Sequence, residues 1–237
     1  MTGTGAAAGA ERARRRESLR RAGVYLVTEE SLSGGRRSER IVEAALESGV
    51  RVVQVREKGG SARRALEIAL AVRRLTRRFD ALMIVNDRID IALAVDADGV
   101  HLGQDDMPLA SARRLLGESA LIGLSITEAA QMGAPEAVLA DCLGVGAIFP
   151  TGSKTDATLT GLALVADVRA AGAAWRQPIV AIGGIDAQNA GAAIRAGADV
   201  VAVISAITAA LDPGRAAAEL LEAVRAAEAA LAARSTR

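Results

Sequence analysis

The chain has 237 residues, 51% of them hydrophobic, yet only two Phe, one Tyr and one Trp, and its formal net charge is +1. That length admits one large α/β barrel or two small domains, and a core of Val, Ile, Leu and Ala suits a parallel sheet covered by helices. Residues 1–22 hold six arginines against two glutamates, net +4, which leaves −3 for the rest; a mildly acidic body poor in aromatics excludes a nucleic-acid binder of the usual kind. One cysteine, Cys142, allows no intramolecular disulfide and no zinc site of its own, and its apolar neighbours mark it as a buried thiol. No stretch reaches the ~18 uninterrupted apolar residues of a membrane helix, and the N-terminus lacks the apolar core of a signal peptide. The expectation is a cytoplasmic protein without membrane or nucleic-acid partners.

In chain order, residues 1–22 read as a flexible Arg/Ala-rich arm, at most a frayed helix over Arg12–Arg21. Its Gly3-Thr4-Gly5 has no strand before it and is not a dinucleotide loop. The body, 23–237, is regular. Strands are predicted at 24–28, 50–56, 81–85, 99–102, 121–124, 143–149, 178–182 and 200–204. Helices are predicted between them, at about 38–48, 62–78, 89–95, from Pro108 to 116, 127–132, 162–171 and from Asp186 to 196. A long Ala-Leu helix closes the chain from Pro213 to about Ala233. Asp98-Gly99-Val100-His101-Leu102 echoes Asp199-Val200-Val201-Ala202-Val203 as a weak internal repeat. Strict strand–helix alternation implies a parallel sheet, and eight units point to an α/β fold of the (β/α)8 TIM barrel type, a single domain. An open doubly wound sheet would need a Gly-rich loop after the first strand, and Thr28-Glu29-Glu30 is not one.

The polar residues fall at the strand ends. Gln54, Arg56 and Lys58 share one face of the second strand, a row fit for a polyanion rather than a dry core. Asn86 and Asp87 end the third strand, Asp106 follows the fourth, and Ser125 ends the fifth. Thr151, Ser153 and Lys154 follow the sixth, Gly183 and Gly184 the seventh, and Ser205 the eighth. In a barrel these ends share the rim where barrel enzymes carry their sites. Asp87 and Asp106 follow adjacent strands, so they can meet around Mg2+, which takes few protein ligands and shares phosphate oxygens; the other reading is two separate helix caps. Gly183-Gly184, ahead of a helix, would form a second, metal-free phosphate site completed by Ile204-Ser205. His101 is expected to pack or support, and Glu57 to face away from the interior.

Gln54-Val-Arg-Glu-Lys58, Val85-Asn-Asp87, Asp98-Gly-Val-His-Leu-Gly-Gln-Asp-Asp106, Pro150-Thr-Gly-Ser-Lys154 and Ile182-Gly-Gly-Ile185 together resemble thiamine-phosphate synthase, in order from about Val24 to Ile207. The resemblance implies a transferase that joins hydroxymethylpyrimidine diphosphate to a (carboxy)thiazole phosphate, releasing pyrophosphate. It implies that Arg56, Lys58, Asn86 and Lys154 hold the diphosphate, with Arg56, Lys58, Ser125 and Lys154 in catalysis and Mg2+ on Asp87 and Asp106. It also implies that Gln54 and Ser125 flank the pyrimidine and that Thr151, Ser153, Gly184, Ile204 and Ser205 cradle the thiazole phosphate. Ser153, Ile126-Thr127, Ala147 and Val200 depart from the family pattern. A thiazole tautomerase of the same superfamily would need a His where Thr127 stands. A non-catalytic phosphate-ligand sensor would differ only in lacking turnover. The partners are small molecules, and a homo-oligomer is admitted.

Overall fold

The computed structural model describes residues 3–58, 61–152, 159–171 and 177–235. Eight parallel strands, β1 (Val24–Val27), β2 (Val52–Val55), β3 (Leu82–Asn86), β4 (Gly99–Leu102), β5 (Leu121–Ile126), β6 (Cys142–Val145), β7 (Ile179–Ile182) and β8 (Val200–Val203), close into a barrel in sequence order. Closure is made by β1 pairing with β8, Tyr25 opposite Ala202. Alternation along each strand splits the apolar residues into two cores. Leu26, Val53, Val55, Met83 and Val85 face out and pack against the helices. Tyr25, Val27, Val52, Leu82, Ile84, Leu121, Cys142, Val180 and Val200 fill the interior.

The outer ring comprises α2 (Ser38–Glu47), α3 (Ala62–Arg78), α4 (Ile89–Ala94), α5 (Leu109–Leu116), α6 (Pro135–Leu139), α7 (Gly161–Ala171), α8 (Ala190–Arg195), the single turn α9 (Ser205–Thr208) and α10 (Pro213–Ser235). The segment expected as one helix over 127–132 is instead a 3-10 turn, Ala129–Gly133, followed by α6, which opens on Pro135. Pro fits there because the first helical position needs no N–H donor. The helix after the seventh strand begins at Ala190 rather than at Asp186. The Asp186 carboxylate accepts from the Gln188 and Asn189 amides and holds a turn before it.

The flexible arm needs the larger correction. Residues Gly3–Arg20 form a helix, α1, docked across the N-terminal end of the barrel. Leu19 is 1% exposed and closes the interior core from below. Three arginines of α1 reach three aspartates that stand just before alternate strands: Arg15 to Asp98 at 3.3 Å, Arg12 to Asp141 at 3.7 Å and Arg20 to Asp199 at 3.0 Å. Each aspartate also accepts, through its other oxygen, one backbone N–H of the preceding strand (Met83, Ile122, Ile179) and one arginine of the helix that leads into that strand (Arg73, Arg113, Arg169). The weak repeat in the sequence is thus a repeated structural unit, and Asp141 is its third copy. Such charge-assisted bonds are stronger than neutral ones and largely desolvated here, so α1 is held by partners far along the chain.

Candidate active site

The opposite, C-terminal end of the barrel opens into a cavity of about 710 Å³. Its wall on the β2 side is Gln54, Arg56 and Lys58, the alternate residues that continue the inward face of that strand. Gln54 is buried and its Nε2 donates to the Tyr25 hydroxyl at 2.8 Å, so the amide is fixed in orientation. Burial pushes the Tyr25 phenol well above its usual range, and it remains a neutral partner. Glu57 turns outward, accepting from Thr28, Ser38 and the Glu30 amide, and stitches the β1 loop to the end of β2.

Asn86, Asp87 and Asp106 line the same cavity. The carboxylates of Asp87 and Asp106 are in contact. Desolvation first, and then the Asp106 carboxylate, push Asp87 up to about 6, while Lys58 and Arg56 pull against that rise. The Asp106 carboxylate also accepts the Gly103 amide at 2.6 Å. Asp87 does not serve as the cap of the next helix: that position is Arg88 and α4 starts without a side-chain cap. Like charges held together beside cations are what a divalent cation would resolve. Among the described residues no cluster of three or more metal-ligating side chains exists, so a cation held by this pair would take its remaining ligands from other oxygens.

On the β4–β5 side, the His101 imidazole Nε2 lies 2.9 Å from the Ser125 hydroxyl. The ring occupies space that side chains at Gly123 and Gly144 would fill, which is why these neighbouring strands carry glycine on the inward face. Desolvation pushes His101 down to about 4, so the imidazole is neutral near pH 7. The Ser125 carbonyl accepts from Gln104 at 2.6 Å, fixing the backbone as well. Thr127 lines the cavity and is tied to Gln131.

The third part of the wall is Thr151, Gly183, Gly184, Ile204 and Ser205. Gly183 and Gly184 have φ of +101° and +64°, and a Cβ on either would strike the Ala147 or Phe149–Pro150 backbone. Glycine here is demanded by the close passage of the β6 and β7 loops, and it also leaves bare backbone on the cavity side. The helix start at this wall is α9 at Ser205, not the helix after Gly184, which begins six residues later. Ser153 and Lys154 lie outside the described residues. Tyr25 and Glu29 escaped the sequence reading. Glu29 pairs with Arg56 at 2.5 Å, and its position at the C-terminal end of β1 was the available signal.

A family model described as thiamine monophosphate synthase matches residues 24–207. A thiamine-phosphate synthase of Haloarcula marismortui is 52% identical over 202 residues, 85% of this chain and 96% of that protein. One of Chloroflexus aurantiacus is 51% identical over 203 residues, covering 83% and 90%. The solved thiamine phosphate pyrophosphorylase from Pyrococcus furiosus superposes with a TM-score of 0.78 at 38% identity, over 88% of this chain and 98% of that one. With the match spanning the whole barrel and every strand end that lines the cavity, the chain belongs to the thiamine monophosphate synthase family.

Proposed function

We propose that this cavity couples a pyrimidine methyl diphosphate to a thiazole phosphate, forming thiamine phosphate and pyrophosphate. The observation that carries the reading is the arrangement of charge: an acid pair, Asp87 and Asp106, shares one cavity with Arg56 and Lys58, with a bare-backbone wall at Gly183 and Gly184 beside Ser205. Two anion sites of different chemistry fit two phosphorylated substrates. The family and the identity of the relatives support thiamine phosphate as product.

Asp87 and Asp106 would hold Mg2+; when bound, the ion neutralises charge on the diphosphate oxygens and so favours their departure. Arg56, Lys58 and Asn86 bind the diphosphate, together with Lys154. Gln54, whose Nε2 is taken by Tyr25, turns its carbonyl oxygen to accept from an amino group on the pyrimidine. Thr151, Ser153, Gly184, Ile204 and Ser205 hold the thiazole phosphate by hydroxyl and backbone donors. The C–O bond of the methylene breaks, its electron pair leaves with pyrophosphate, and the thiazole ring nitrogen attacks the resulting cationic methylene, which the electron-rich pyrimidine stabilises. No nucleophilic side chain takes part; the protein contributes positioning and electrostatics. Ser125 is oriented by neutral His101 to donate toward the pyrimidine or its leaving group. A tautomerase reading would need an acid–base group at Thr127, which is a hydroxyl tied to Gln131.

The test is pyrophosphate release by the purified protein with both substrates, with and without Mg2+, and with each substrate omitted. Release that needs both substrates and the metal is expected. Ligand binding without release would replace the enzyme with a sensor, and conversion of the thiazole alone would replace the coupling with isomerisation.

A further inference from the structure

We propose that Glu29 is a positioning residue for the reaction, setting the guanidinium of Arg56 in the diphosphate part of the cavity. This rests on the coupling reading above. Nothing in the family resemblance assigns Glu29. Glu29 and Arg56 are 8% and 10% exposed at their side chains and their contact is 2.5 Å, from Nη1 to Oε2. The other Glu29 oxygen accepts the Ser31 hydroxyl at 2.8 Å. The carboxylate is therefore held at both oxygens. Its backbone is held as well, because the preceding amide, Thr28 N, donates to the Gln54 carbonyl on β2 at 2.9 Å. The Thr28 hydroxyl in turn accepts the Arg56 amide at 3.1 Å and donates to Glu57 at 2.8 Å.

An arginine side chain loses much rotamer freedom when fixed, and a rim arginine without a partner would lose it only on binding substrate. Here the ordering is done in the folded protein. One guanidinium nitrogen is committed to Glu29, and the fork keeps further N–H donors for the diphosphate. The nearby carboxylate also lowers the net positive field at Arg56, so the pair favours geometry over bulk attraction of anions. Glu29 acts through Arg56 and contacts no substrate atom in this scheme.

The experiment is a double-mutant cycle on Glu29→Gln and Arg56→Ala, read as kcat/KM for the diphosphate substrate, with KM for the thiazole phosphate measured in parallel. Arg56→Ala is expected to lose activity. Glu29→Gln is expected to lose roughly 10-fold or more in kcat/KM for the diphosphate, the scale of a misplaced catalytic group, with the thiazole KM within about 2-fold. In the Arg56→Ala background, Glu29→Gln should cost nothing further. Glu29→Asp, which keeps the charge on a shorter arm, should fold like the parent and recover part of the loss. If Arg56→Ala is impaired and Glu29→Gln behaves as wild type, or if the two losses simply multiply, the positioning role is overturned while the site stands. If Arg56→Ala itself turns over normally, the site assignment falls first and Glu29 has nothing to position.

Discussion

Replacing Leu19 by Ala tests the docked N-terminal helix directly. Leu19 is the apolar residue through which α1 closes the floor of the barrel, against interior positions such as Val52, Leu121 and Val200. Its side chain is 1% exposed, so the substitution removes three buried carbons and leaves a void under a lid that can sink only partly. Buried Leu→Ala changes cost about 2–5 kcal/mol, with the spread set by how far the site collapses. A value of about 3 kcal/mol is expected here, because α1 is pinned by three arginine–aspartate contacts and cannot settle freely. For a chain of this size that corresponds to a Tm lower by roughly 6–12 °C. Urea unfolding followed by circular dichroism measures it, with Arg14→Ala as control. Arg14 is 61% exposed and, among the described residues, its salt bridge is to Glu11 in its own helix, so its loss should stay within about 0.5 kcal/mol. Turnover at 25 °C should be unchanged in both variants, since the cavity is at the other end of the strands. A Leu19→Ala loss as small as that of Arg14→Ala would show that α1 does not close the floor, and the docking argument would fail.

Asp141→Ala should destabilise by about 3–5 kcal/mol, because Arg113, Arg12 and the Ile122 amide all lose a buried anion; a loss below 1 kcal/mol in urea would remove the clamp from the account of the floor. Asp87→Ala and Asp106→Ala should each abolish detectable turnover while leaving the fold intact, and Mg2+-dependent binding of the diphosphate should vanish with it; calorimetry showing unchanged Mg2+-saturated binding in both would refute the metal assignment. The raised Asp87 pKa carries a sign. A carboxylate pushed up to about 6 is an unfavourable charge in the metal-free fold above that pH and becomes neutral as pH falls through it. Metal-free Asp87→Asn should therefore be more stable than the parent at pH 7.5, with the difference closing as pH drops from about 6 to about 4. Protons compete with the cation for the same oxygens, so half-saturating Mg2+ should rise as pH falls below 6; a flat Mg2+ requirement from pH 5 to 8 would contradict the pairing.

Eight strands were legible because each is a short apolar run ended by polar or Gly residues, and inward alternation correctly placed Gln54, Arg56 and Lys58 on one wall of the cavity. Local sequence could not show α1. Apart from alanines its only apolar residue is Leu19, so no amphipathic stripe announces a buried face. Its order comes instead from Asp98, Asp141 and Asp199, which lie 83, 129 and 179 residues beyond their α1 partners Arg15, Arg12 and Arg20. The helix after Gly184 was placed early for a related reason: Asp186 has the chemistry of a cap, but it caps a turn ahead of Ala190. Glu29 was read only as the absence of a nucleotide loop. Its partner is on the neighbouring strand, and parallel pairing brings together residues that are distant in sequence.

The two ends of the barrel use carboxylates in opposite ways, and the contrast locates function. On the floor, Asp98, Asp141 and Asp199 each meet two arginines and a backbone N–H. Their charge is answered within the fold, and their work is to hold α1 and alternate strands in register. At the rim, Glu29, Glu30 and Glu57 are likewise answered, by Arg56, by Arg64 and by the β1-loop donors. Asp87 differs: burial and the Asp106 carboxylate push it up to about 6, against the pull of Lys58 and Arg56. Holding two like charges together opposes folding, which makes this pair a candidate for binding a cation from outside the chain. Arg56 and Lys58 line the same cavity, and their charges pull the Asp87 pKa down without cancelling the rise. An anion carrying its own divalent cation satisfies both sides at once, and a diphosphate leaving group is such an anion.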